Sequence, residues 1–387
     1  MRHLLRIAIA LCFTIGAAAD GPGLSLRITD EAAPAGSIVQ IKIDVTEPKP
    51  ISTGRGKIKI KGVTTVEGIV LMNKGQDTYG VAMLDGEDLS FAITSPSSRF
   101  GTPADYPILG IAGTVATAPL GTTFPLTLDP AGLGFRDPSG TVYPTEIRNG
   151  NLRIANAVTI GDVSPGSSIV PAGGVVQISG ANFKPSTRIR LSETNIAEQR
   201  FISSQRIDVV LAQTTNMHGL RIRARNDDGD DKTESEYFSY ERTTAESSSN
   251  DPILKKVVPL FAPTTYTLTM VQLPARVAQG RRRAVRSGSG SIGGVTLGNT
   301  TNVGVALQNL SSSTATVSIE LIDRFGYPYA VTTMSVGPDR YLVRELSEMF
   351  GSVALPSAFG VRSNVPIQIL GLVADRSAGI AAAVPPG

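Results

Sequence analysis

"GGVVQISGANF", residues 173 to 183, closes the longer run "VSPGSSIVPAGGVVQISGANF" from Val163 to Phe183, and its reading decides the fold. Val176 and Ile178 alternate with Gln177 and Ser179, the period-two pattern of a strand with one buried face. A phosphate-cradling loop needs Lys-Ser/Thr after its last glycine and a helix behind it, and neither follows Gly180. Gly180 is instead expected to permit a turn that a side chain would hinder, with Phe183 returning inward as a plug. The stretch reads as strand and turn, not as a ligand loop.

Working outward, residues 156–240 continue in the same manner. "VTIGDVSPG" precedes the stretch, "QRIDVVLAQTT" and "GLRIRARNDDGDDKTESEYFSY" follow it, and all alternate between Gly, Asn and Asp turns. An Ile-x-x-Val-x-Pro start, the "GGVVQISGANF" strand, the N-D-D-G turn and the terminal "YFSY" resemble the IPT/TIG immunoglobulin-like domain. The resemblance implies a spacer or binding module of an extracellular or surface protein.

Residues 20–155 carry "LSLRITD", "SIVQIKIDV", "RGKIKIKG", "LSFAITS", "YPILGIAGTV", "TFPLTLD" and "NLRIANA", short strands separated by Gly, Pro and Asp turns, as in a sandwich. Arg55, Lys57, Lys59 and Lys61 fall on one strand face, opposite Ile58 and Ile60. The order of "PAGSIVQIKIDV", "LDGEDLSFAI", "YPILGIAGTV", "LGFRDPSG" and "IRNGNLRIA" resembles the cohesin family and related carbohydrate-binding-module sandwiches. That resemblance implies a non-catalytic role: docking of a partner module or adhesion to polysaccharide.

"ERTTAESSSNDP", residues 241–252, is polar and Ser-rich and reads as a linker. Residues 253–387 read as a third β-sandwich with a flexible basic insert near 275–294. One short helix is expected in "YLVRELSEMFG", where Leu342, Leu346 and Phe350 repeat every four residues before Gly351. The fold class is therefore all-β, three tandem β-sandwich domains. Forty glycines and 25 prolines in 387 residues agree with many tight turns.

The chain starts "MRHLLRIAIALCFTIGAAADGPG": Arg2 and Arg6, a short apolar run, then Ala17-Ala18-Ala19. This order is expected to be a secretory signal peptide over residues 1–19, too short in its apolar part to span a bilayer. Cleavage would remove Cys12, the one cysteine, and His3, leaving His218 as the one histidine. It would also leave 34 cations against 33 anions. A bacterial, disulfide-free protein that is secreted or held at the cell surface or in the periplasm is expected, without a membrane span after cleavage.

The candidate sites each have a plainer reading. The basic excess lies in residues 249–387, with 12 cations against 7 anions, four of them Arg281, Arg282, Arg283 and Arg286; an anionic polymer or a solvated linker both suit it. "GSGSIG", Gly288 to Gly293, matches a dinucleotide fingerprint but lacks the strand, helix and acidic residue that the fingerprint requires. "NDDGDD", residues 226–231, has hard oxygens for Ca²⁺ but also the composition of a hairpin turn, as do Asp85, Glu87 and Asp88. Arg188 with Arg190, and Arg221 with Arg223 and Arg225, are expected to form solvent faces that could also meet an acidic glycan. Tyr327, Tyr329 and Tyr106 are candidate sugar platforms, expected to be partly packed instead. A Ser-His-Asp device would rest on His218, with no G-x-S-x-G elbow, and paired carboxylates remain open by composition alone.

The function expected is non-enzymatic: adhesion or recognition at the cell surface through the first domain, with polysaccharide or an extracellular protein module as partner. No cofactor, no metal and no nucleic acid is expected, and the ligand-binding residues are left unassigned. The alternatives are a structural spacer within a surface or secretion assembly, and a polysaccharide-acting enzyme using carboxylates.

Overall fold

The computed structural model describes residues 23–46, 49–72, 78–95, 107–192, 194–227, 233–262, 264–273, 301–352 and 356–386. The expected signal peptide, the basic insert with its Gly-rich match, Tyr106 and most of the 226–231 turn lie outside them. Nearly all regular structure is β-strand, and Leu346–Phe350 is the one α-helix among the described residues.

The first unit is two facing sheets. One runs in the order Thr145–Arg148, Leu24–Ile28, Ile38–Val45, Pro107–Val115, Val63–Leu71. The other runs Glu31–Ala33, Gly150–Ile154, Thr123–Leu128, Thr53–Ile60, Asp88–Thr94, Tyr79–Asp85. Alternation sorts their side chains as the sequence demands. Ile41, Ile43, Ile58, Leu89, Phe91, Leu109 and Ile111 fill the space between the sheets, while Arg55 and Lys59 face outward. Lys57 pairs with Asp88 of the neighbouring strand at 2.9 Å.

The second unit faces a four-stranded sheet, Thr159–Ser164, Val175–Ala181, Arg206–Leu211, Ile196–Ser203, with a three-stranded one, Arg188–Leu191, Arg221–Asn226, Thr233–Phe238. Val176, Ile178 and Phe183 are buried there. Gly180 lies inside the strand rather than at a left-handed turn. A Cβ on it would sit 1.9 Å from the Thr159 carbonyl oxygen, so backbone crowding, not φ, requires glycine. The left-handed residue is Asn182, φ 58°.

In the third unit the long strand Ala358–Asp375 passes from one layer to the other. Its first half pairs with Ala315–Ile322 and Tyr266–Gln272, and its second half with Thr301–Asn309 and Ile380–Val384. Pro328–Val336 is an outer strand beside Ala315–Ile322.

Two expectations are corrected here. The helix covers only Leu346–Phe350, started by a capping box between Glu345 and Glu348. Residues Arg340–Glu345 are strand, because Leu342 and Val343 bury opposite faces in two different cores. The expected linker is built in as well. Thr244–Ser247 pairs in parallel with Arg340–Glu345, and the Ser249 hydroxyl donates to Glu348 Oε1 at 3.0 Å. Beyond it, Val257–Leu260 leaves the third unit and adds to the first unit's sheet beside Tyr79–Asp85.

Candidate functional site

A recognition surface on the first unit would need an open sheet face, and the neighbouring units cover the central strands of one sheet and the Tyr79–Asp85 end of the other. On the five-stranded sheet, Gln40 and Lys42 point outward yet are 1% and 4% exposed. The Gln40 amide donates to the Phe238 carbonyl (3.1 Å) and accepts from the Phe238 N–H (2.8 Å), two bonds that only a planar amide facing that backbone can make. Lys42 Nζ pairs with Glu31 at 2.7 Å and donates to the Glu236 carbonyl at 3.1 Å. Ile38, Val70 and Ala112 pack into the second unit's core. Replacing Gln40 with alanine strands a buried N–H and a buried carbonyl, at a cost of about 2 kcal/mol. Denaturant unfolding of the variant is expected to show that loss with an unchanged slope.

On the other sheet, Tyr79, Val81, Met83 and Ala92 face outward and share a core with Ala306, Leu370, Leu372 and Ala383 of the third unit. The Arg55–Lys57 row borders the cleft that this contact leaves, opposite Ile380. On that sheet Arg55 and Lys59 still face outward, whereas the central strands of the five-stranded sheet lie in an interior seam. Their sequence signal was present: "YPILGIAGTV" is apolar on both faces, the mark of a strand buried on both sides.

The three units meet around a second cleft, lined in part by Glu67, Ser167, His218, Tyr240, Arg242 and Gln368. Burial pushes the His218 imidazole below its usual value, favouring its neutral form. Ser167 Oγ donates to Glu241 at 3.1 Å rather than to His218, so the histidine does not stand as that hydroxyl's base.

The remaining candidates divide. Arg223 reaches Glu236 at 2.8 Å, Arg225 and Arg188 both reach Asp227, and the Arg221 guanidinium lies over the Phe238 ring. That row is an Arg–carboxylate ladder on one sheet face. Asp85 pairs with Lys256, just before the added strand, and Gly86 takes φ 64° in the hairpin between Asp85 and Asp88. Among the described residues no group of three or more His, Cys, Asp or Glu is placed to hold a metal ion.

The tyrosines depart from expectation. Tyr327 is 70% exposed and Tyr329 43%, with Phe325 and Val331 equally open beside them. They line a hairpin whose second strand, Pro328–Val336, pairs on one side only among the described residues. Register carries the open face across the sheet. Val331 lies level with Glu320, Gly360 and Met270, and Thr333 with Ser318, Arg362 and Leu268. Gly360 leaves a shallow gap between the apolar margins, and Glu320 and Arg362 put hydrogen-bonding groups beside it.

No protein-family model matches the chain, and no curated protein matches it. Among solved structures, a non-cellulosomal cohesin from the archaeon Archaeoglobus fulgidus is similar, at 20% identity over 34% of this chain and 91% of that one, TM-score 0.31. CaCohA2 from Clostridium acetobutylicum is similar at 15% identity over 35% of this chain and 92% of that one, TM-score 0.30. These likenesses span about a third of the chain and assign no function. No described helix is long and apolar enough to cross a membrane, which says nothing of a β-barrel.

Proposed function

We propose that this chain is an exported, non-enzymatic recognition protein that meets polysaccharide on the open sheet face of its third unit. The first unit, cohesin-like in its sequence pattern, and the second, IPT/TIG-like, serve as a braced support. The observation that supports this reading is the exposure of Tyr327 and Tyr329 beside Glu320 and Arg362 on one continuous face. Pyranose rings offer flat apolar C–H faces rimmed by hydroxyls, which suits exposed aromatic rings bordered by charged hydrogen-bonding groups.

The test is retention of the full chain on insoluble polysaccharides. Tyr327→Ala and Tyr329→Ala are each expected to remove about 1 kcal/mol, roughly a fivefold loss of affinity, without changing stability. Retention that survives both substitutions, or no retention on any glycan, refutes this surface. A second reading, assembly with other chains, is favoured by the character of the outer strands.

A further inference from the structure

Outer strands are usually guarded against other chains by a charge, an internal proline or a bulge, because their free backbone groups recruit partners. The outer strands of six or more described residues show this clearly. Asp162 stands in Thr159–Ser164, Glu67 in Val63–Leu71, Glu198 and Arg200 in Ile196–Ser203, and Glu234 and Glu236 in Thr233–Phe238. Two strands of the third unit break the pattern, Tyr266–Gln272 and Pro328–Val336, neither of which holds a charged residue. Tyr266–Gln272 has a register break after Tyr266, and the Tyr266 hydroxyl lies 3.5 Å from that of Tyr79 in the first unit, so its end abuts another unit. Pro328–Val336 has its register shift near its start, at Tyr329, and among the described residues no strand pairs with its outer edge. Its seven residues from Ala330 to Val336 keep unbroken register, and its one proline stands at the first position.

We propose that Pro328–Val336 is a self-association edge: two copies pair these strands antiparallel about a two-fold axis at Thr332, joining their third-unit sheets. This inference goes beyond polysaccharide recognition and does not depend on it. The strand is complementary to itself in that register. Ala330 faces Met334 of the second copy, Val331 faces Thr333, and Tyr329 faces Ser335, so a larger side chain meets a smaller one each time. Outward faces stay outward, since directly opposite residues in an antiparallel pair share a face. No charge is brought opposite a like charge within the strand. A two-fold pair closes on itself, which consumes the edge rather than propagating it. It would also set two open tyrosine faces side by side on one continuous sheet.

Thr332 is half-buried and lies on the axis, which makes it the position to test. Sedimentation of the full chain over a wide concentration range is expected to give the mass of two copies. Thr332→Lys and Thr332→Glu each place like charges directly opposite one another, and each variant alone is expected to sediment as one copy with the wild-type circular dichroism spectrum. Mixed in equal amounts they are expected to recover the mass of two, because lysine then faces glutamate. A wild-type chain that sediments as one copy overturns the proposal, as does pairing that survives in the single variants. A mixture that stays at the mass of one copy, or growth beyond two copies, overturns it equally. If the single copy instead takes up an extended peptide or a glycan at this edge, and Thr332→Lys abolishes that uptake, the occupant is that ligand and self-pairing falls. Polysaccharide retention is a separate measurement, so the two readings fail independently.

Discussion

Gly180→Ala is expected to lower the stability of the chain by about 3 kcal/mol, the upper end of the cost of forcing an atom into a packed interior. The added methyl would lie 1.9 Å from the Thr159 carbonyl oxygen and 2.8 Å from the edge of the Phe183 ring. The phenyl ring can turn away; the carbonyl cannot, since Thr159 is a ladder residue paired opposite Ala181. Relief therefore requires Thr159–Ser164 to part from Val175–Ala181, and this opens the sheet that buries Val163, Val176 and Ile178. Urea unfolding should show the midpoint fall with little change of slope. Gly173→Ala provides the contrast. Gly173 has φ 79° and nothing within 4 Å of its virtual Cβ, so the substitution is charged only for backbone strain, about 1 kcal/mol. Equal losses in the two variants would refute the crowding account.

Asp251→Ala is the second large effect, expected at about 3 kcal/mol and accompanied by a change in acid stability. The carboxylate is fully buried, yet every direction around it is occupied. It accepts from the backbone N–H groups of Ile253 and Leu254, both at 2.9 Å, and from Asn302 and Arg376. It thereby ties the chain leaving the second unit to the strand Thr301–Asn309 and the last hairpin of the third. Alanine leaves those buried N–H groups without an acceptor, each a desolvation cost of about 1–3 kcal/mol. Arg376 is half exposed and can return to water, so its loss adds little. Burial pushes this carboxyl up, but the Leu254 N–H, Arg376 and the Ile253 N–H together pull it below its usual value. A folded-state value below the unfolded one means that the stabilisation is complete above the ordinary aspartate range, about 3.9, and is lost as pH falls through the lower native value. Asp251→Asn is expected to flatten that part of the acid limb. An acid limb identical to wild type would show that other carboxylates govern it.

How much of this was legible beforehand differs from residue to residue. Lys57, Lys59, Ile58 and Ile60 fell on the faces that alternation assigns them, because the position of a side chain relative to its own sheet is a local property of the strand. Gly180 and Phe183 were singled out rightly, but for a turn rather than for the crossing carbonyl of Thr159. Glycine marks a tight place in sequence without saying which tightness it serves. The helix expected in 341–351 takes in residues 341–345 because apolar residues four apart fit a helical stripe. The same residues fit a strand covered on both sides, and only the second cover decides between them.

The candidate surface was harder to read. Gln40 and Lys42 look in sequence like a solvated strand face, and Tyr327 like a residue partly packed against neighbours; the structure reverses both. Taken alone, the sequence determined the all-β class, the strands and their inward faces, since these follow from period-two patterning and turn chemistry within a few residues. The tertiary structure decided which outward faces reach water. That choice depends on groups far away in the chain, such as the Phe238 backbone that receives Gln40. A strand's own residues encode what it presents on each face; what arrives to cover that face is encoded elsewhere.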